Sequence, residues 1–286
     1  MLGGYGNFGA RICRALAGDP AIDVVIGGRN VQAAQRLAAE LGRGTEALAV
    51  DHGAPAFADA LRDRGVELLI HSAGPFQQQA YGVAAAAAEA GVHYIDLADG
   101  RRFVCDFPAA LNAAFEAAGR SAVCGASTVP ALSSAVVDQL CEGWRRIDAI
   151  DLCIAPAQTA PRGEATMAAV LSYCGAPIPV WDQGRWQTRA GWALPERVEF
   201  ARLAPRRGAL CDVPDLELFV ERYAVRQRVM FRAALEVGLG QSAFAALAAL
   251  RRAGWLREPM RLAQFMNRTA SWFDRFGSHL GGMVVR

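Results

Sequence analysis

Hydrophobic and polar positions in the first half of the chain switch repeatedly between a helical and an extended period. From about Asn7 to Ala17, Ile12 and Leu16 stand four residues apart on one helical face, and Gly18-Asp19-Pro20 ends the segment. The apolar run Asp23 to Ile26 reads as a strand. Val31 to Leu41 reads as a helix with Ala34, Leu37, Ala38 and Leu41 on one face, closed by Gly42. Three further pairs follow: strand Ala47 to Val50 with helix Pro55 to Arg64, strand Val66 to His71 with an Ala-rich helix Tyr81 to Ala90, and strand Val92 to Leu97 with helix Phe107 to Ala118. Ser121 to Cys124 is a sixth strand. Strands that alternate with helices predict an α/β fold with a doubly wound parallel sheet, because each helix carries the chain back to begin the next strand in the same direction.

The period changes at Val129. A helix to about Cys141, a strand Ile147 to Ile154, a helix Glu164 to Tyr173 and short strands through Phe231 predict a mixed α+β second domain. Trp181 to Trp192, with Asp182-Gln183-Gly184 between its halves, reads as a hairpin. Gln241 to Phe276 reads as helical, interrupted at Gly254 and Pro259.

Apolar residues make up 53% of the chain and charged residues 20%, enough for a buried parallel sheet. A net charge of +2 and a pI near 8.2 favour small-molecule partners over a nucleic-acid surface. All 30 basic residues are Arg, which excludes a Lys Schiff base and a phosphate-loop Lys. Seven Cys without a C-x-x-C pair suit reduced thiols and a cytoplasmic location. The apolar stretch Ser242 to Leu250 is too short to span a bilayer, so no stable membrane insertion is expected. No His, Cys and carboxylate group has metal-ligand spacing.

Gly4-Tyr5-Gly6-Asn7-Phe8-Gly9 matches the G-x-G-x-x-G pattern at a helix start. Gly4 is expected to make the tight turn, Gly6 to let backbone approach a pyrophosphate, and Gly9 to let the helix pack closely, with Asn7 and Phe8 at the helix N-terminus. These residues, and the strand-helix units after them, predict a Rossmann nucleotide-binding domain over residues 1–128 and an α+β substrate or dimerisation domain over 129–286. Only Met1 and Leu2 precede Gly3, and Gly281 to Arg286 enters a strand that stops after three residues, so both ends read as truncated. In a doubly wound sheet the first strand is central.

At the end of the second strand, where NAD-binding sites place an acid, this chain has Gly27-Gly28-Arg29-Asn30. A guanidinium grips a 2′-phosphate that a carboxylate would repel, so NADP is expected, with NAD as the alternative. A solvated helix-start residue is the other reading of Arg29. Asp51 is placed either to accept from the adenine amino group or to cap a helix. Ser72, Ala73 and Gly74 lie where the chain passes the cofactor ribose.

Gly3-Gly4-Tyr5-Gly6-Asn7-Phe8-Gly9, Ala73-Gly74-Pro75-Phe76 and Gly91-Val92-His93-Tyr94-Ile95-Asp96 together resemble the saccharopine dehydrogenase-like family of NADP-binding type, over roughly Leu2 to Asp138. The resemblance implies a Rossmann domain, an α+β substrate domain and a C-terminal chain that returns to the first domain. It implies hydride transfer that forms or cleaves a secondary amine between an amino acid and a carbonyl compound. The chain departs from the family in reading Leu97-Ala98-Asp99-Gly100-Arg101 where Gly-Glu is common, and in lacking Lys.

Polar residues beyond the carboxyl ends of the strands are the candidates for chemistry: His71, Ser72, Asp96, Asp99, Arg101, Ser127 and Thr128. Asp99, Tyr94 or Asp96 is expected to supply the proton that carbonyl or imine reduction needs. Arg101 or Arg102 either clamps a substrate carboxylate or sits on a solvated face. His93 reads as a packing residue; Cys211 to Asp215 and the hairpin with Trp181, Trp186 and Trp192 are candidates for substrate contact or subunit interface, the tryptophans rather for core or interface, leaving a homodimer open. The functional expectation is an NADP-dependent oxidoreductase acting on a small carbonyl, imine or amino-acid-like substrate. The alternative is a non-catalytic NADP(H)-binding sensor or scaffold.

Overall fold

The computed structural model describes residues 1–42, 44–160 and 162–286, which divide into two compact units. The first comprises Met1–Ala98 and Arg102–Ser127, the second Asp99–Arg101 and Thr128–Arg286.

In the first unit, helix α1 (Gly9–Leu16) is followed by β1 (Val25–Gly28), α2 (Val31–Leu41), β2 (Glu46–Ala49), α3 (Phe57–Asp63), β3 (Leu68–His71), α4 (Gly82–Ala90), β4 (His93–Asp96), α5 (Arg101–Ala118) and β5 (Ala122–Val123). β1 pairs with β2, and β3 with β4 and β4 with β5, all in parallel. Leu2 forms parallel bridges to Gly27 on one side and His71 on the other, which joins the two groups and gives the sheet its doubly wound order. Its amide donates to Ile70 O at 2.8 Å and its carbonyl accepts from Ser72 N–H at 3.0 Å. Gly27 N–H donates to Met1 O at 2.9 Å, and Gly3 N–H to Gly27 O at 3.0 Å.

Helix α5 begins at Arg101, six residues before the start that the sequence suggests, and Pro108 lies inside it. Proline favours a first helical turn, but burial overrides that preference here. Phe103, Phe107, Leu111 and Phe115 recur every four residues and are all buried. Phe107 stacks on Tyr94 with ring centroids 5.9 Å apart. The Tyr81 hydroxyl donates to Phe103 O at 3.0 Å.

The second unit contains α6 (Ser133–Leu140), β6 (Ala149–Ala155), α7 (Glu164–Tyr173), β7 (Pro177–Asp182), β8 (Arg185–Ala190), β9 (Glu196–Val198), β10 (Arg206–Leu210), α8 (Asp215–Arg222), β11 (Arg228–Ala233), α9 (Gly238–Arg252), α10 (Ala263–Ala270) and β12 (Gly282–Val285). Its sheet runs β12-β6-β11-β10-β9, with β7 on the other part of β11 and β8 beyond it. β6 and β11 are parallel and the remaining pairs antiparallel. Gln183 and Gly184 link β7 to β8 with φ of 56° and 70°, the left-handed pair that a two-residue hairpin requires. The last strand corrects one expectation: β12 pairs with β6 inside the second unit, Met283 opposite Ile154, instead of returning to the first. The core of this unit is built on Leu152, Leu171, Ile178, Leu210, Leu216, Phe219 and Phe231.

Candidate functional site

The loop from Gly3 to Gly9 leaves the sheet at Leu2 and feeds directly into α1. Gly3 has φ +74°, so the left-handed turn falls there and not at Gly4. Gly4 serves packing: a Cβ on it would lie 2.9 Å from Ile26 Cγ2 and 3.1 Å from Cys13 Sγ. A Cβ on Gly9 would lie 2.2 Å from Gly3 O, 2.8 Å from Gly4 Cα and 2.9 Å from Ser72 Oγ, so only glycine lets α1 approach the strand end this closely. Gly6 is exposed, with Gly3 O as the single atom near its would-be Cβ. Asn7 is half-buried and Phe8 exposed at the start of the helix. A glycine cradle facing a helix N-terminus, with no carboxylate from Gly3 to Gly9 or from Gly27 to Asn30, fits a phosphorylated dinucleotide.

Beside the loop, the Tyr5 ring lies against Gly28, where a Cβ would come within 2.5 Å of its hydroxyl. That hydroxyl accepts the Asn30 N–H at 3.0 Å, and Asn30 Oδ1 accepts the Ala33 N–H at 3.0 Å, capping α2. Arg29 stands between Gly28 and Asn30 with its side chain exposed. Asp51 also is exposed, near the end of β1 through the Val50 N–H to Gly28 O bond of 3.1 Å. Its carboxylate accepts the Gly53 N–H at 3.0 Å, a local turn; α3 starts six residues later, with Ala56 at its cap.

On the other side of the loop, Ser72 Oγ lies 3.1 Å from Leu2 O and 3.3 Å from Gly3 O. A Cβ on Gly3 would lie 3.1 Å from Ala73 Cβ. Gly74 and Pro75 are joined by a cis peptide, and Gln79 Nε2 donates to Ala73 O at 2.7 Å and Pro75 O at 3.0 Å. The cofactor candidates thus gather around one loop at the carboxyl edge of the first sheet.

The three proton-donor candidates do not form one group. Tyr94 is buried, its hydroxyl 3.0 Å from His71 Nδ1. Burial pushes the Tyr94 phenol far up and the His71 imidazole down to about 4, so this pair is neutral. Asp96 is fully buried and accepts the Ala98 N–H at 3.0 Å and the Gly125 N–H at 2.7 Å, tying the end of β4 to the chain after β5. Burial raises its pKa, against the lowering effect of those two amides. Asp99 groups with the second unit and is half-buried near Tyr173, whose phenol is raised first by burial and further by Cys211, Asp99 and Asp212.

Arg101, also in the second unit, is buried and already engaged: Nε with Glu217 at 3.0 Å, Nη1 with Pro179 O at 2.7 Å and Asp212 at 3.3 Å. It sits 5.7 Å from the centre of the Trp186 ring. These contacts leave the guanidinium committed to two carboxylates of the protein, which corrects its reading as a free substrate clamp. Arg102 pairs with Asp106 at 3.0 Å on an exposed helix face. His93 Nδ1 accepts the Ser121 N–H at 3.0 Å. Ser127 N–H donates to Gly125 O at 2.7 Å, and Thr128 is exposed. Trp192 is buried against Phe244, and Trp181 packs edge-on to Trp186.

Sequence reasoning missed Tyr173 and Glu217; it singled out the segment Cys211 to Asp215 but not the burial of Asp215, to which Ser133 donates. Burial pushes the Asp215 carboxyl up to about 6. Asp215 follows Pro214 at the start of α8, a position that sequence alone assigns to the solvated first turn of a helix. Among the described residues no group of His, Cys and carboxylates is arranged for a metal ion, and no helix is long and apolar enough to cross a membrane.

The fold and the loop define a dinucleotide-binding domain joined to an α+β unit. Residues 1–123 match the family model described as the saccharopine dehydrogenase NADP binding domain. Saccharopine dehydrogenase (L-Glu forming) from Saccharomyces cerevisiae shares the fold at TM-score 0.63 and 14% identity, over 81% of this chain and 53% of the yeast chain. This chain therefore spans about half the length of that relative. The WlbA dehydrogenase from Thermus thermophilus, solved with NAD and α-ketoglutarate, aligns at TM-score 0.45 and 12% identity, over 93% of each chain. UDP-N-acetylglucosamine 3-dehydrogenase from Acidithiobacillus ferrooxidans aligns at TM-score 0.46 and 16% identity, over 82% and 66%. No curated protein sequence matches the chain.

Proposed function

We propose that this protein is an NADP-dependent oxidoreductase of saccharopine dehydrogenase-like type, moving a hydride to or from a small carbonyl, imine or amino-acid-like substrate. The observation that carries the reading is Arg29, exposed at the end of β1 beside a glycine-only phosphate loop, where an NAD site would present an acid. In this reading residues 1–128 hold the dinucleotide and residues 129–286 supply substrate contacts. The cofactor, when bound, supplies the hydride.

The roles of the chain's own residues follow from their positions. Backbone at Gly4, Gly6 and Gly9, with the Asn7 and Phe8 amides, holds the pyrophosphate, while Arg29 and Asn30 hold the 2′-phosphate. Asp51 accepts from the adenine, and Ser72, Ala73 and Gly74 line the ribose side. Of the three proton-donor candidates, Asp99 is the one that keeps partial exposure. Tyr94 and Asp96 act as positioning residues that hold the strand ends.

Fluorescence titration with NADPH and NADH tests the cofactor half. The parent binds NADPH more tightly, and Arg29→Ala weakens NADPH by about tenfold or more with little change for NADH, the scale of a lost charge-assisted contact. An unchanged ratio overturns the NADP reading. NADPH oxidation over a panel of carbonyl and imine substrates tests the enzymatic half, with Asp99→Asn expected to abolish turnover while NADPH still binds. Tight NADPH binding with no turnover of any panel member would instead identify a sensor.

A further inference from the structure

We infer that Tyr5 is a specificity-determining residue of the cofactor site: its hydroxyl fixes the Arg29 turn against the phosphate loop and offers its own proton to the 2′-phosphate. The inference rests on the reading of Arg29 given above. A phosphate loop needs glycines where backbone must approach the ligand, but it places no demand on the residue between Gly4 and Gly6. Here that residue is a tyrosine whose ring crosses from the loop to the end of the second strand.

Three observations converge on it. The ring lies so close to Gly28 that a Cβ there would meet Oη at 2.5 Å, Cε1 at 2.6 Å and Cζ at 2.8 Å, so the hydroxyl end of the ring needs glycine at this position. The hydroxyl accepts the amide of Asn30, the residue next to Arg29, at 3.0 Å. Asn30 Oδ1 accepts the Ala33 N–H, so the residue after Arg29 is held to the loop by its backbone and to α2 by its side chain. A phenol that accepts one amide retains its own O–H, and the Tyr5 ring is only half-buried. A donor left over one peptide away from an exposed guanidinium suits a dianionic phosphate, and an unesterified ribose hydroxyl gains far less from the same group.

The test uses the intact protein and two adenosine fragments, 2′,5′-ADP and 5′-AMP, which differ only in the 2′-phosphate. Tyr5→Phe keeps the ring on Gly28 and removes the hydroxyl. It is expected to weaken 2′,5′-ADP about tenfold by calorimetric titration while leaving 5′-AMP within about twofold. Gly28→Ala, which displaces the ring, is expected to show the same selective loss. A merely structural tyrosine would weaken both fragments equally, and that outcome overturns the inference. If Arg29→Ala lowers the ratio of the two affinities and Tyr5→Phe does not, the role of Tyr5 fails while the NADP reading stands. If neither variant changes the ratio, both fail.

Discussion

Placing a single methyl group on Gly9 tests whether the phosphate loop is built as tightly as its geometry states. The new Cβ would meet Gly3 O at 2.2 Å and Gly4 Cα at 2.8 Å, both backbone atoms, and Ser72 Oγ at 2.9 Å. No side-chain rotamer relieves the first two contacts, so the turn at Gly3 must move by several tenths of an ångström. Overpacking of this kind costs about 1–3 kcal/mol, and a backbone obstruction belongs in the upper part of that range. At roughly 2–4 °C per kcal/mol for a chain of this size, Gly9→Ala lowers the melting midpoint by roughly 4–12 °C. The displaced amides also weaken NADPH by about tenfold or more. Gly6→Ala is the control for stability, since its Cβ would meet only Gly3 O, at 3.1 Å, and Gly6 is exposed. Circular dichroism melts and fluorescence titration read both quantities. A Gly9→Ala protein that melts with the parent and binds NADPH normally would refute the close approach of α1 to the strand end.

Two buried groups give opposite pH dependences over nearly the same window. His71 is held down to about 4 from an ordinary 6.5, so the unfolded chain takes up the proton first and stability falls as pH drops from about 6.5 to 4, by on the order of 3 kcal/mol. Asp215 is pushed up to about 6 from 3.8, so its contribution is full below about pH 4 and is lost as pH rises to about 6, by a similar amount. In urea midpoints measured from pH 4 to 7, His71→Gln is expected to remove the first slope and Asp215→Asn the second; unchanged slopes would contradict the assignments. Arg101→Met removes the buried cation that Glu217 and Asp212 share and is expected to cost about 1–3 kcal/mol in urea unfolding, whereas no loss would show that the pair is solvated.

Much of the fold was legible because its signals are local. The helix Glu164–Tyr173 has the bounds its periodicity suggests, and the Gln183-Gly184 turn follows from residue types that tolerate positive φ. The start of α5 was not legible, since Pro108 reads as a first-turn residue until the burial of Phe103 is known. The loop glycines were legible as a set but not in their roles, because the sign of φ at Gly3 is set by the strand it leaves. Residue type and a place near the end of a strand made Tyr94 and Asp96 candidates for chemistry. Their burial and their amide and imidazole partners are tertiary facts with no signature along the chain. Arg101 and Glu217 are 116 residues apart, beyond the reach of any spacing rule.

The bridge through Leu2 has a mechanical meaning. The two halves of the first sheet, β1 with β2 and β3 with β4 and β5, are sewn together by the backbone of Met1, Leu2 and Gly3, and Gly3 is also the first residue of the phosphate loop. A dinucleotide held by that loop therefore fastens the seam of the sheet at its narrowest point. Saturation at about 100 times Kd stabilises the bound fold by about 2.7 kcal/mol. In this domain that energy enters at the seam, so the amides of Leu2, Gly27 and Ser72 are where slowed hydrogen exchange would register occupancy.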